Sequence, residues 1–436
     1  MSKIQFTRQL DMAASYDVVV AGSGPSGICA AVAASRAGAK TAIVERYGIV
    51  GGNLTSGMVG PVMGSVGTGT MRDELTGLLG VQGNDMLGYH GKAHDIEAAK
   101  SKLFAFLRKE NVEIYLQTPV VDVIKEGSKV TGLVISTKEG LSVLGAKVFV
   151  DATGDGDVAF FAGVPYDAGR HQDLRVQPVT LMYVLAGVDE SRAIVCVGEA
   201  DPVEFNGEPF PAFTQRCCDQ GLLPPNTAAV RLYRTSRPGE RLVNTTQVND
   251  VFITNRADVE RAELTLREQI GQITEFLRKY VPGYENCYVK QSATTLGVRE
   301  SRRFCGLETL VDADIEQGRR KKDVVVHNAN FLIDIHNPIG SGQAESFDLV
   351  FTNHPYDIPY GCLVPQGVDG LLLTGRNISG THRAHASYRI MTVCMATGEA
   401  SGIAAALCAE SGTEPRNLDV KLLQDTMIKK GIKLFD

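Results

Sequence analysis

Two groups of residues in this 436-residue chain are spaced for chemistry. The first is Gly22-Ser-Gly24-Pro25-Ser26-Gly27, which follows the apolar run Asp17-Val-Val-Val-Ala21 and precedes Thr41-Ala-Ile-Val-Glu45-Arg46. A strand, a Gly-x-Gly-x-x-Gly turn, a helix of small residues and a second strand ending in an acid make up a dinucleotide grip. Gly22 permits the tight turn, Gly24 lets the backbone approach a pyrophosphate, and Gly27 lets helix and strand pack closely. The helix N-terminus offers N–H groups and its positive dipole end to the phosphates. Glu45 stands where a carboxylate can accept hydrogen bonds from ribose hydroxyls. A bare structural βαβ unit can carry the same turn, but strand, helix and terminal acid in register favour nucleotide binding.

The second group is titratable. His336 ends an apolar strand and is followed by Asn337-Pro-Ile-Gly340, a loop that must turn sharply. A histidine there can take a proton from a hydroxyl or an amine. Alternatively, backbone carbonyls satisfy its ring and it only holds the loop. Arg299 leads the charged block Arg299-Glu-Ser-Arg302-Arg303. It reads equally as a bidentate grip on a substrate carboxylate or as part of a buried ion-pair network, while Arg302 and Arg303 favour the network. His382, His385, Tyr388 and Arg389 crowd a loop before a helix, with His382 or His385 as a second acid/base candidate. Tyr356 and Tyr360 offer phenol hydroxyls, though core packing is expected of at least one. His90 and His94 read as surface loop residues.

These groups need elements to carry them. The first βαβ unit runs from about Tyr16 to Arg46, and a Gly-rich loop (48–61) follows. A helix is expected over Ile96–Asn111, then short strands at Ile114–Leu116, Val120–Ile124, Val130–Thr137, Leu141–Leu144 and Lys147–Asp151. The last feeds the Gly turn Thr153-Gly154-Asp-Gly156. From about 165 the character changes to strand-like stretches (Val179–Val184, Leu242–Val248, Val324–Ile335) around one long helix, Arg256–Tyr280. Nucleotide-domain character returns at Gly370-Leu-Leu-Leu-Thr-Gly375-Arg376, followed by an Ala- and Gly-rich helix, Met391–Glu410. The expected fold is α/β: a discontinuous Rossmann-like nucleotide domain (1–165 and 352–436) with an inserted α+β substrate domain (166–351).

Composition narrows the function. A net charge of −6 argues against a nucleic-acid binder. The nine cysteines include no Cys-x-x-Cys, so no zinc or iron–sulfur site, and no other metal site, is expected. No apolar run is expected to reach membrane-spanning length and the N-terminus lacks a signal pattern, so a cytoplasmic protein is expected.

The order of the Gly-rich blocks resembles the FAD-binding fold of the glutathione-reductase type. More closely, it is similar to bacterial FAD-dependent oxidoreductases related to the flavoproteins of succinate dehydrogenase, fumarate reductase and heterodisulfide reductase. The blocks are Gly22–Gly27 with Glu45-Arg46, Gly51-Gly52-Asn53-Leu-Thr55, Asp151-Ala152-Thr-Gly154, Gly297–Arg303, Ile333–Gly340 and Gly375–His382. The resemblance implies FAD as cofactor. The first block would hold the ADP pyrophosphate, Glu45 the adenosine ribose, and the Val120 backbone the adenine. Gly52, Asn53, Thr55, Ala152 and Gly154 would line the cofactor, with Gly375 and Arg376 beside the ribityl–pyrophosphate. Ile390 and Met391, at a helix N-terminus, would face the flavin pyrimidine. Many relatives carry an Asp where Arg376 stands, and an arginine is better suited to a phosphate. The spacing of His90 and His94 is also compatible with a covalent flavin link.

Disulfide reductases of this fold carry a cysteine pair soon after the first βαβ unit, and residues 48–61 contain no cysteine. That excludes disulfide exchange on this chain. A second dinucleotide fingerprint is also missing. The resemblance therefore implies hydride transfer between flavin N5 and a small polar metabolite, at a CH–OH, CH–NH or activated C–C bond. His336, Arg299, Tyr356 and His382 are the catalytic candidates. Two alternatives stay open: a flavoprotein subunit passing electrons to a metal-containing acceptor protein, and an FAD-bound module without redox function or acting in tRNA modification. Self-association as a homo-oligomer is open too.

Overall fold

The computed structural model describes residues 4–5, 7–81, 93–199, 201, 203–345 and 354–436. His90 and the 351/352 boundary lie outside them. The first strand, β1 (Met12–Ala21), runs parallel to β2 (Thr41–Val44), which is parallel to β3 (Glu113–Tyr115). On its other side β1 is parallel to β6 (Gly140–Asp151). Antiparallel β5 (Lys129–Thr137) and β4 (Val120–Glu126) complete the order β3-β2-β1-β6-β5-β4. The strand Leu371–Leu373 returns to pair in parallel with the end of β6. Three strands that each end in a Gly turn, β1, β6 and Leu371–Leu373, therefore finish side by side, where a doubly wound sheet binds its ligand.

Two sequence expectations are corrected here. Leu141–Leu144 and Lys147–Asp151 are one continuous strand, because β6 changes partner along its length. Its first half pairs with β5 and its last three residues with Leu371–Leu373. The strand-like stretches of the middle region are shorter than expected. Tyr183–Ala186, Glu240–Asn244 and Val324–Ala329 are strands, while Val179 and Val248 only bridge to each other.

Helix α1 (Pro25–Arg36) and the helix Met391–Ser411 cross in near backbone contact. A Cβ on Gly398 would come 2.1 Å from the Ser26 carbonyl oxygen, and one on Gly402 would come 2.2 Å from that of Ala30. Both pairs are spaced by one helical turn, so two glycines seat against one face of α1. Contrary to the expectation that no apolar run reaches membrane-spanning length, Met391–Ser411 is, among the described residues, a helix long and apolar enough to cross a membrane, and 89% of that apolar window is buried inside the protein.

A second core lies between a four-stranded antiparallel sheet, ordered Arg231–Arg234, Glu240–Asn244, Tyr183–Ala186, Tyr288–Ser292, and the helix Arg256–Tyr280. Asn255 caps that helix by accepting from the Ala257 and Asp258 N–H groups. The helix buries Leu266, Ile273 and Leu277 against Tyr183, Leu185 and Leu242. This core ends near Ala293. Phe304, Val324–Val326 and Phe331–Ile333 pack into the core that the nucleotide-domain strands also share.

Candidate functional site

Two cavities meet above the Gly-terminated strand ends. The first, about 270 Å³, is lined by Gly22–Ser26, Glu45–Tyr47, Gly52, Asn53, Val120, Ala152–Asp155 and Arg376. Gly22 sits at φ +93°, and a Cβ there would lie 2.4 Å from the Ala152 carbonyl oxygen. Only glycine fits that turn. Gly24, by contrast, has nothing within 4 Å of its would-be Cβ. Helix α1 starts at this point with no side-chain cap, so the N–H groups of its first turn are left for an anion. Glu45 is fixed rather than loose: one oxygen accepts from the Ser23 N–H (2.9 Å) and hydroxyl (2.5 Å), the other from the Tyr47 N–H (2.9 Å). An ionised carboxylate keeps acceptor capacity beyond these three bonds.

Behind the β6 turn, buried Asp151 accepts from the Thr153 N–H and hydroxyl and from the Ala159 N–H, which holds the turn's shape. Burial raises its carboxyl to about 6. Arg376 spans to the same turn, donating to Asp155 (2.6 Å) and to Ser301 (3.1 Å). Burial works against the Asp155 charge, yet Arg376 and Ser301 hold its carboxyl below the ordinary range.

The second cavity, about 220 Å³, shares Asn53, Val298, Arg389 and Met391 with the first. Its walls include Val59, Met63, Met182, Phe331 and Leu332, its charged groups are Glu199, Arg231, Arg299, Asp334 and Arg389, and His336, Thr180, Tyr233, Asn244 and Gln343 line it too. Arg231 donates to Glu199 at 2.6 Å, and Arg389 to Asp334 at 2.9 Å. Asp334 also accepts from Gln343 at 2.6 Å. His336 places Nε2 3.4 Å from Asp334, while its Nδ1 is buried with no hydrogen-bond partner. A proton on Nε2 satisfies Asp334 and leaves the Nδ1 lone pair free. Burial, reinforced by the Arg299 charge, pushes His336 down to about 4, so the ring is neutral at pH 7. Burial and then the neighbouring Arg389 push Arg299 down to about 9, which leaves it charged.

A family model described as FAD dependent oxidoreductase matches residues 17–427. This chain belongs to the FAD-dependent oxidoreductase family. A thiamine thiazole synthase of Pyrococcus horikoshii is 30% identical over 148 residues, 32% of this chain and 58% of that protein. A dihydrolipoyl dehydrogenase of Rhizobium etli is 66% identical over 35 residues, 8% of this chain and 7% of that one. The chain thus spans less than two thirds of the length of the curated relatives it matches. Among solved structures, a geranylgeranyl bacteriochlorophyll reductase-like protein of Thermoplasma acidophilum has a TM-score of 0.46 at 15% identity, covering 96% of this chain and 84% of that one. The myxobacterial chondrochloren halogenase has a TM-score of 0.47 at 12% identity, covering 94% and 78%.

As a member of that family this oxidoreductase binds FAD, and the first cavity fits it. The uncapped α1 turn would hold the pyrophosphate, Glu45 a ribose, and Val120 the adenine end. The helix Met391–Ser411 also begins without a side-chain cap, at Ile390, where both cavities meet. Of the expected FAD contacts, Gly22, Gly24, Pro25, Ser26, Glu45, Arg46, Gly52, Asn53, Val120, Ala152, Gly154, Arg376 and Met391 line the first cavity, and Ile390 lines the second. Three do not. The Thr55 hydroxyl donates to the Val50 carbonyl and holds the Gly loop. Gly27 and Gly375 act by absence: a Cβ on either would strike the Gly22 carbonyl oxygen or the Ser26 hydroxyl.

Among the catalytic candidates of this flavoprotein, His336 and Arg299 come together in the second cavity, while Tyr356 and His382 do not reach it. Tyr356 is fully buried and shares a hydrogen bond with Ser387 at 3.0 Å. His382 lies in a helix, His382–Tyr388, where a loop was expected, and its Nδ1 is 2.8 Å from Glu300. Glu300 also pairs with Arg303, so His382, Glu300 and Arg303 form a structural network. Tyr360 donates to the Pro415 carbonyl in the core. His94 is not on the surface; it is buried between the Gly60 and Leu54 carbonyls, which removes it from any covalent link to flavin. Glu199, Arg231, Asp334 and Gln343 carry no signal in the sequence that marks them as site residues, save that Asp334 stands two residues before His336.

Proposed function

We propose that this flavoenzyme oxidises or reduces a small polar metabolite in the second cavity, at a CH–OH, CH–NH or activated C–C bond, with His336 as its proton acceptor and donor. One observation carries this reading. His336 is buried in a cavity that adjoins the FAD site, oriented through Nε2 by Asp334, with Nδ1 unpartnered. A neutral ring aligned by a carboxylate, with its other nitrogen's lone pair free, can take the proton of a hydroxyl or amine as the substrate's bond to hydrogen breaks.

FAD, when bound, supplies the two-electron redox chemistry. The chain supplies the rest. Asp334 is itself held by Gln343 and Arg389, so the His336 ring has a fixed direction. The apolar wall of Met63, Met182, Phe331 and Leu332 limits water around the reacting bond. Asn53 and Met391, common to both cavities, stand between cofactor and substrate.

The test is anaerobic mixing of the holoenzyme with sugars, hydroxy acids and amines while following the visible flavin band. Bleaching by one class supports a dehydrogenase. If none bleaches it but dithionite-reduced protein is reoxidised by an enone or enoate, the reaction runs as a reduction. If neither occurs, the small-metabolite reading fails and an acceptor protein takes its place.

A further inference from the structure

The charges lining the second cavity do not balance. Three guanidiniums (Arg231, Arg299, Arg389) face two carboxylates (Glu199, Asp334), and His336 is neutral there. Arg231 and Arg389 take one acid each. Arg299 has none: among the described residues no carboxylate lies within 4.0 Å, and its one hydrogen bond, 2.8 Å from Nη1, goes to the Pro178 carbonyl. A guanidinium carries five N–H donors, so most of Arg299's are unspent. A half-buried cation facing a cavity without an anion is costly to keep unless something completes it.

From this geometry we infer that the substrate is an acid, its carboxylate seated on Arg299 and its remainder apolar. The inference rests on the proposed use of this cavity and narrows it. One uncompensated cation calls for one carboxylate, because a second would leave a net negative charge. Val59, Met63, Met182, Phe331 and Leu332 offer the remainder a hydrocarbon wall. With the carboxylate on Arg299 and the proton-bearing group toward His336, the substrate class is a 2-hydroxy or 2-amino monocarboxylic acid with an aliphatic or aromatic side chain.

Binding of non-reacting probes to the oxidised holoenzyme tests this without turnover. Isothermal titration with isovalerate and with isovaleramide compares a carboxylate with its neutral counterpart. Isovalerate should bind about 10- to 100-fold tighter, the span of a hydrogen bond to a charged group. Arg299→Gln should abolish the preference, and Arg299→Lys should keep part of it, with the visible flavin band confirming folded, loaded protein. If Arg299→Gln loses its flavin, Arg299→Lys and the wild type decide. Equal affinity for the two probes in the wild type overturns the inference. So does no detectable isovalerate binding at millimolar concentration, or an undiminished preference in the Arg299 variants. A preference that persists while no substrate changes the flavin would leave the carboxylate site standing and remove the redox role of the cavity.

Discussion

Lowering the pH should expose His336. Its ring is held at about 4 in the folded protein against 6.5 ordinarily, burial first and the Arg299 charge second. Between those values the unfolded chain binds a proton that the folded protein refuses. Stability is therefore full above pH 6.5, falls as the pH drops below it, and stops falling near pH 4. At ~1.4 kcal/mol per pH unit the whole window is worth roughly 3 kcal/mol, and about 2 kcal/mol is lost by pH 5. Asp151 and Glu399, raised by burial to about 6 and about 7, act in the opposite sense, since their folded forms hold protons the unfolded chain has lost. Comparison with His336→Gln cancels both. Urea unfolding of the two holoproteins at pH 7.5 and pH 5 should show the wild type losing about 2 kcal/mol more than the variant. Equal losses, or a ring nitrogen titrating near 6.5 in a histidine-labelled NMR experiment, would refute the argument that burial keeps this imidazole neutral in the folded protein.

Other outcomes follow from the packing. Gly22→Ala forces a Cβ onto the Ala152 carbonyl at a positive φ, so the purified variant should carry less than a tenth of the wild-type flavin by absorbance ratio. Gly398→Val drives a side chain into the Ser26 backbone and should cost at least ~2 kcal/mol, read as a fall in Tm with loss of flavin. Tyr356→Phe removes one buried hydrogen bond, to Ser387, which like Tyr356 lines neither cavity. It should lower stability by about 1 kcal/mol and leave kcat/KM within about twofold. Glu45→Ala removes an acceptor already oriented by Ser23 and Tyr47, and FAD should dissociate about 10- to 100-fold more readily in equilibrium dialysis.

The nucleotide half of the molecule was legible because its determinants are local. Gly22–Gly27, the α1 helix and Glu45 lie within one βαβ unit, and each glycine's role follows from its own place in the turn. The return of Leu371–Leu373 to β6 was visible in its Gly-terminated apolar run. The second cavity was only half legible. Its charged residues and its histidine come from positions 199, 231, 299, 334, 336 and 389, and no local pattern links groups spread that widely. Side-chain direction was hidden as well. Tyr356 and His382 are reactive types on suitable segments, yet one faces the core and the other Glu300. His94 looked exposed beside glycines because nothing in its neighbours announces the two carbonyls that bury it.

Single-turnover flavin reduction by the substrate found in the anaerobic screen tests the central assignment most directly, with wild type and His336→Gln compared under identical loading. General-base loss should slow reduction by about 10²- to 10⁴-fold while isovalerate affinity stays within about threefold. Reduction at an unchanged rate in His336→Gln would contradict it.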